Sequence, residues 1–335
     1  MLHRSPAVRL FFRQFPTDKI CIPPIKCYNK QEQMFCFFGG GNVMFGSYAE
    51  YLTARGGEAA CLAYFIHCRW PEGFHCPLCG HRSAYTITTR RMPLYECVRC
   101  RLQTSVTSGT CMEGTRTPLS KWLIAMERMG DPQSGINAVQ LAKLINVTYK
   151  TAYSMMNKIR ESLLGCGTTL LSGRIEAGLA VFGTPGKLIL EIGDRQQPLA
   201  IATEIDDSNR PKRMTWVMLE RGQMNGRCMI RDTWREFKHQ CFASDPVSQA
   251  NEVHRSWFLT VRHCRTMTPI IRKEFQRIQT TYHGIGLASL PKYLAESVFR
   301  WNALQNEEDL LRLTVQACQS SCRAERSDPF LRLAC

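Results

Sequence analysis

The chain has 335 residues, of which 44% are apolar, and it carries a formal net charge of +15 at pH 7. This length accommodates two or three domains with ordinary soluble cores, and no apolar run is long enough to predict a membrane-spanning helix. The excess of Lys and Arg favours a polyanionic partner, with nucleic acid ahead of an anionic membrane, over a merely basic soluble protein.

The cysteine content argues against a secreted disulfide scaffold. The chain contains 17 cysteines, which is an odd number, and four of them have the spacing of metal ligands. Disulfide frameworks are typical of small secreted domains, and the N-terminus lacks the succession of a secretory signal. We therefore expect a reducing cellular interior in which the other thiols are free or buried.

Residues 1–46 are interpreted as an uninformative N-terminal extension, basic at its start and rich in Pro and Gly further on. Residues 47–116 are expected to hold a helical lead-in and a zinc ribbon. The lead-in, SYAEYLTARGGEAACLAYFIHC, predicts two short helices broken at Gly56 and Gly57. We expect the second helix to pack against the ribbon.

Two CxxC pairs are the strongest motif of the chain. Cys76 and Cys79 form the first pair, and Cys97 and Cys100 form the second. Their spacing is typical of a structural zinc site with four thiolates. A ribbon of this size buries little apolar surface, so zinc would supply much of its folding free energy. One alternative is that the two thiol pairs are unrelated. The other is a redox-active CxxC, which is disfavoured because no alternation of strands and helices surrounds either pair.

Residues 117–165 predict a helix-turn-helix region. Pro118 begins a helix with an apolar stripe, and two shorter helices follow, with Asn137 and Thr148 as their N-caps and a tight turn at residues 145–147. Such a pair of helices is a helix-turn-helix, a motif that binds double-stranded DNA. The start of the second helix would face base edges and its later basic residues would contact phosphates. The predicted DNA-binding residues are Thr148, Tyr149, Lys150, Thr151, Lys158 and Arg160.

Beyond Gly173 the periodicity changes from helix to strand. Five short strands are predicted in RIEAGLAVFG, KLILEIG, PLAIATEI, TWVMLE and RCMIRD, and three helical segments follow Asp232. A sheet followed by helices is compatible with a ribonuclease-H-like core and with other α/β arrangements. Residues 319–335 show no periodicity and are expected to be a tail.

Several stretches resemble one family. RWPEGFHCPLCG, YECVRC, TSVTSGT, TRTPLSKW and GINAVQLAKLINVTYKTAY are similar to the N-terminal half of bacterial insertion-sequence transposases, in which a zinc ribbon precedes a DDE-superfamily nuclease domain. TTYHGIGLASLPKYLAESVFRWN is similar to the closing helices of that domain. The resemblance covers about residues 47–318.

The resemblance implies a multidomain α+β protein, with a zinc ribbon and helix-turn-helix followed by a ribonuclease-H-like α/β domain at residues 172–318. It also implies a cytoplasmic, nucleoid-associated protein. A homodimer is expected because transposition brings two DNA ends together.

The resemblance further implies a reaction in which three acidic or polar residues hold two Mg²⁺ ions. The chain departs from that pattern at two positions. Gly178 stands at the first aspartate position, with Glu176 two residues earlier, whereas Asp232 keeps the second position. Thr268 stands at the third position, and Glu274 follows about one and a half helical turns later.

We therefore expect a transposase-like protein that binds structural zinc and double-stranded DNA but does not catalyse strand transfer. One alternative is an active transposase, with Mg²⁺ held by a displaced set of Glu176, Asp232 and Glu274. The other is a zinc-ribbon adaptor that binds proteins. DNA affinity that depends steeply on salt would favour either transposase-like interpretation over the adaptor.

Overall fold

The structure is a computed structural model that describes residues 19–22, 47–90, 92–131, 135–166, 170–183, 192–225, 228–243, 254–256 and 266–324. The helices within these ranges are α1 Tyr48–Ala54, α2 Gly57–Arg69, α3 Leu119–Gly130, α4 Ala138–Leu144, α5 Tyr149–Gly165, α6 Arg231–Cys241, α7 Met267–Tyr282, α8 Leu290–Gln305 and α9 Leu310–Ala324. The strands are β1 Lys19–Ile22, β2 Ala84–Ile87, β3 Leu94–Cys97, β4 Gln103–Ser105, β5 Arg174–Phe182, β6 Gln197–Ile205, β7 Pro211–Met218, β8 Met224–Asn225, β9 Cys228–Met229 and β10 His254–Ser256. Of the helices described, none has the length and hydrophobicity needed to cross a bilayer.

The first sheet is antiparallel, with the strand order β1-β2-β3-β4. Strands β2, β3 and β4 follow one another between the first CxxC pair and α3. Strand β1 comes from the N-terminal extension, for which the sequence predicted no structure, and it pairs with β2 along the edge of the sheet. The rest of residues 1–46 lies outside the described residues.

The two lead-in helices form as predicted, but the second packs chiefly among other helices and contacts the ribbon region at its end. Cys61 and Phe65 of α2 are fully buried in a cluster made with α3, α5 and α9 rather than against the ribbon sheet. At the end of α2 the chain contacts the ribbon region. The Trp70 ring packs edge-on against the Tyr95 ring at 5.0 Å, and the Arg69 guanidinium donates to the carbonyls of Val106 and Ser108, both at 2.6 Å. The apolar face of α2 has more apolar partners among the helices than on the small ribbon sheet. This explains why most of α2 packs differently from the prediction.

Helix α9 was not predicted from the sequence. It returns from the C-terminal part of the chain to the N-terminal helices, where Val315 and Cys318 are fully buried. The backbone amide of Cys111 donates to the carbonyl of Cys318 at 3.1 Å. Residues 319–324, predicted as the start of a tail, belong to this helix.

The second sheet has the strand order β10-β5-β6-β7. Strands β5, β6 and β7 correspond to three of the five predicted strands. They are antiparallel neighbours, and β10 lies parallel to β5 on the opposite edge. Most of the predicted KLILEIG strand lies outside the described residues. In the predicted RCMIRD strand, Arg227 lies outside the described residues, Cys228 and Met229 pair with β8, and Asp232 is already in α6.

Helices cover both faces of this sheet. On one face of β5, Ile175 and Ala177 pack in a cluster with Trp234 of α6. On the other face, the Phe182 ring packs edge-on against the Phe275 ring of α7 at 5.1 Å, in a cluster that includes α8. Alternate residues of β5 therefore face different helical layers.

A buried charged network connects the N-terminal helices to this three-layer unit. Arg160 of α5 donates from Nε to Oε2 of Glu296 on α8 at 2.6 Å, and both side chains are at most 4% exposed. Glu296 Oε1 lies 3.6 Å from Nη1 of Arg300, whose Nη2 donates to Oε2 of Glu274 on α7 at 3.2 Å. Buried charges are tolerated when they are paired in this way.

Candidate metal centre and nucleic-acid surface

The two CxxC turns have the same backbone geometry. The amide of Gly80 donates to the carbonyl of Cys76 and the amide of Arg101 donates to that of Cys97, both at 3.0 Å. The fourth residue after each leading cysteine is left-handed, with φ of 70° at Gly80 and 62° at Arg101. Glycine adopts this conformation without strain, whereas an L side chain is disfavoured by about 1–2 kcal/mol.

Arg101 has contacts that offset this strain. Its guanidinium lies 5.9 Å from the Tyr85 ring centroid and 3.4 Å from Oε1 of the buried Glu96. Glu96 also accepts a hydrogen bond from Gln103 at 3.0 Å. Side chains of the ribbon sheet therefore stabilise the second CxxC turn, whereas the first CxxC turn relies on the conformational freedom of Gly80.

The four cysteine sulfurs converge on one point. All four lie within 4.8 Å of one another, with 3.5 Å between Cys76 and Cys100 and 3.6 Å between Cys79 and Cys97. Tetrahedral coordination with Zn–S bonds of 2.3 Å places the sulfurs about 3.8 Å apart. Across the described residues, no other group of three or more His, Cys, Asp or Glu side chains is arranged to hold an ion. The donor set and its spacing fit structural zinc.

The electrostatics of the cluster also favour a cation. Burial opposes ionisation of Cys97, but the amides of Cys100 and Arg99 donate to its sulfur and the pKa of Cys97 falls to about 7. The amide of Leu102 favours the thiolate of Cys100, yet burial and the neighbouring sulfurs outweigh it and raise the pKa of Cys100 to about 12. Cysteine binds zinc as the thiolate, so zinc binding would displace the thiol protons.

The two predicted short helices have the predicted N-caps. The Asn137 side chain accepts from the amide of Gln140 at 2.9 Å, and the Gln140 side chain accepts from the amide of Asn137, which makes a capping box. Thr148 caps α5 by accepting from the amide of Thr151 at 3.2 Å, and the two hydroxyls lie 2.9 Å apart. Between the helices, Asn146 has a left-handed φ of 49°. Local sequence alone accounts for this geometry.

The first turn of α5 exposes Tyr149 and Lys150 to solvent, whereas Thr151 is half-buried. Tyr149 is 56% exposed, and Tyr153, one turn later, is 40% exposed. The hydroxyls of Thr148 and Thr151 already take part in the cap. Tyr149 and Lys150 are therefore the predicted residues best placed to meet a partner.

The prediction that Arg160 contacts DNA phosphates is wrong. Arg160 is 1% exposed, is ion-paired to Glu296, and lies with its guanidinium 4.1 Å from the centroid of the Tyr293 ring. The sequence signal was a basic residue late in the second helix, a pattern that does not distinguish a solvated face from a buried one. Lys158 is half-buried and remains a candidate.

The three acidic residues considered for magnesium have different surroundings. Glu176 of β5 accepts a hydrogen bond from Thr266 at the start of α7, on the α7 side of the sheet. Asp232 belongs to α6, which packs on the other side; its side chain is 75% exposed and lies 3.4 Å from Nη1 of Arg235. Glu274 is paired with buried Arg300. The three carboxylates do not form a metal-holding group.

A comparison with protein families matches residues 56–103 to the transposase zinc-ribbon domain. No curated protein and no solved structure matches the chain. The matched region contains all four converging cysteines, so family match and geometry agree on structural zinc. Together they indicate a zinc-binding, transposase-like protein with a DNA-associated function.

Proposed function

We propose that this protein is a zinc-dependent, double-stranded DNA-binding protein of the DDE transposase superfamily that does not catalyse strand transfer. The observation that carries the proposal is the thiolate cluster in a transposase-type ribbon, followed by two capped helices that expose Tyr149 and Lys150. The net charge of +15 supports a polyanionic partner. In this proposal residues 47–116 are the lead-in and ribbon, residues 117–165 the helix-turn-helix region and residues 172–318 the nuclease-like domain.

The assignment of α4 and α5 as a helix-turn-helix rests on their length, caps and short connection. The turn leaves Ile145 fully buried beneath the helices, which fixes their mutual position. In a helix-turn-helix the second helix enters the major groove with its first residues at the base edges. Tyr149 and Lys150 would then contact bases, and Lys158 a phosphate.

A ribonuclease-H-like domain at residues 172–318 is supported by the second sheet and its helices. Three antiparallel strands, a parallel strand beside the first of them and helices on both faces form an α/β unit. The contact between Glu176 and Thr266 also brings the start of α7 against β5. Gly178 and Thr268, which occupy the first and third metal positions of the family, each lie two residues from this contact.

The lack of strand transfer is proposed from what occupies those positions. Gly178 has no side chain to ligate an ion, and Thr268 is 1% exposed and carries no charge. The nearby acids do not replace them, because Glu274 neutralises Arg300 and Asp232 lies in the helix on the other side of the sheet. Two hard cations need several carboxylates at once.

Lys150→Ala should weaken binding to a preferred DNA site by about 1–3 kcal/mol while changing non-specific affinity much less, because base contacts carry discrimination. The site can be selected from a random duplex pool, and affinities for it and for a scrambled duplex measured across salt concentrations. Lys212→Ala, at an exposed lysine of β7, is the matched control for loss of one charge. A uniform loss of affinity across DNA sequences would instead identify Lys150 as a phosphate contact. Weak binding that does not depend on salt, measured with the unmodified protein, would favour the adaptor alternative.

Incubation of the protein and its Asp232→Ala variant with the selected duplex and Mg²⁺ should leave the DNA uncut in both cases. The reason is that a single retained acid cannot fix two magnesium ions. Denaturing gel electrophoresis of end-labelled DNA provides the measurement. Mg²⁺-dependent cleavage that disappears in Asp232→Ala would establish the active-transposase alternative.

A homodimer belongs to the same proposal, because the transposases that the chain resembles bring two DNA ends together. Sedimentation of the protein with and without the selected duplex tests it. A monomer in both states would contradict this part of the proposal and leave DNA binding untouched.

A further inference from the structure

We propose that a cleft beside the first turns of α5 binds an unpaired nucleobase of the bound DNA. The inference rests on the proposed DNA-binding function and deepens it by naming a second ligand class for the same surface. The cleft has a volume of about 290 Å³ and lies between α4, α5 and the segment that joins α7 to α8. Its walls include Tyr149, Tyr153, Arg160, Thr281, Ser289 and Tyr293.

Two exposed tyrosines of α5 form one wall of the cleft. The rings of Tyr149 and Tyr153 are stacked, with 5.9 Å between centroids and 20° between planes. Both are largely exposed for aromatic residues on a helix whose other face is core. Exposed aromatic rings on a basic protein are the groups on which unpaired bases stack, and such stacking tolerates any base. The wall therefore suits a flat aromatic ligand.

Arg160 lines the cleft and carries a hydrogen-bond donor without a partner among the described residues. Its side chain is 1% exposed, and its Nη2 atom has no hydrogen-bond partner within the described part of the chain. Buried donors left unpaired are destabilising, so an acceptor that enters the cleft would be bound favourably. The carbonyl oxygens and ring nitrogens of nucleobases are acceptors of this kind.

The charge around Arg160 favours a neutral base over a phosphate. Glu296 lies 2.6 Å from Arg160, and the rings of Tyr282 and Tyr293 present centroids 5.0 and 4.1 Å from its guanidinium. The positive charge is thus already matched by a carboxylate and two aromatic faces. A phosphate would add a second negative charge beside Glu296, whereas a base carbonyl adds none.

The position of the cleft links it to the proposed DNA contact. Tyr149 belongs both to the cleft and to the helix start that would face the major groove. Bases of an intact duplex are stacked and cannot enter a cleft unless they are extruded, which is unfavourable for a paired base. A base that is already unpaired, at a bulge or a strand end, should therefore be preferred.

The test compares two 30-bp duplexes of the same sequence, one fully paired and one with a single extra guanine or thymine. Phosphate contacts should hold either duplex. Fluorescence anisotropy with the full chain should show about 5- to 150-fold tighter binding of the bulged duplex, the range expected for stacking of one base. The ratio of the two affinities should fall to about one in Tyr153→Ala and persist in Tyr153→Phe, which keeps the ring.

Two results would overturn the cleft assignment while leaving the proposed function intact: equal binding of both duplexes by the unmodified protein, or an undiminished preference in Tyr153→Ala. Failure of the unmodified protein to bind either duplex would instead contradict the DNA-binding function itself. Because the affinities for the bulged and the paired duplex are compared within each variant, a general change in DNA affinity cancels from the ratio.

Discussion

Cys97→Ser is expected to abolish stoichiometric zinc binding and to unfold the ribbon. Cys97 is fully buried at the end of β3 and its sulfur lies 3.6 Å from that of Cys79, so the variant leaves three thiolates around an ion that needs four. Structural zinc in small peptides contributes about 10–16 kcal/mol of apparent binding free energy. This is comparable to or larger than the net free energy of folding of a small domain, so the ribbon should not stay folded without the metal.

The loss should extend beyond the metal. Trp70 ends α2 and packs against Tyr95 of β3, so unfolding of the ribbon should change tryptophan fluorescence at the boundary with the helical core. DNA affinity should fall as well, because the ribbon directly precedes the helices proposed to contact DNA. Zinc content by elemental analysis, fluorescence and duplex binding are the measurements.

Cys166→Ser is the matched control for this prediction. Cys166 is exposed and lies at the end of α5, away from the four converging sulfurs. It should retain zinc and its near-native fluorescence. Unchanged zinc content in Cys97→Ser would refute the zinc assignment, and equal zinc loss in both variants would point to a general sensitivity to cysteine replacement.

Arg160→Ala is expected to lower the free energy of unfolding by about 3–5 kcal/mol, the effect of removing one partner from a buried ion pair. Glu296 would remain at 4% exposure without its nearest cation, with Arg300 Nη1 at 3.6 Å and the Tyr282 hydroxyl at 3.0 Å as remaining partners. The packing of the guanidinium against Tyr293 would also be lost. Chemical denaturation monitored by circular dichroism gives the measurement.

The neighbouring residue provides the control. Glu161 accepts from Lys292 at 2.6 Å, so it also joins α5 to α8, but the two side chains are 52% and 34% exposed. Glu161→Ala should change stability by at most about 1 kcal/mol because water screens the pair. Similar effects of the two variants would contradict the argument that burial makes the Arg160 pair structural.

The same comparison bears on DNA binding. If Arg160 contacted phosphates, Arg160→Ala would reduce the salt dependence of duplex binding by about one released counterion. The buried position predicts instead that folded Arg160→Ala protein keeps the original salt dependence. This outcome would show that Arg160 does not contact DNA phosphates.

Local spacing was enough to predict several elements. The two CxxC pairs, the caps Asn137 and Thr148, and the breaks at Gly56 and Gly57 all act within a few residues of the chain. Each reflects a turn geometry or a hydrogen bond that the immediate sequence provides. For this reason the ribbon turns and the short helices occur at the positions predicted from the sequence.

Contacts between distant segments could not be read from spacing. The pairing of β10 with β5, the return of α9 to the N-terminal helices and the burial of Arg160 against Glu296 each join residues far apart in sequence. A single sequence encodes hydrophobicity and charge at each position but not which distant group compensates them. The sequence alone therefore determined the candidate zinc ligands and the helix starts. Only the tertiary structure decided that one predicted phosphate contact is a buried ion pair and that the three acids do not form a metal-holding group, because burial and convergence depend on how the layers pack.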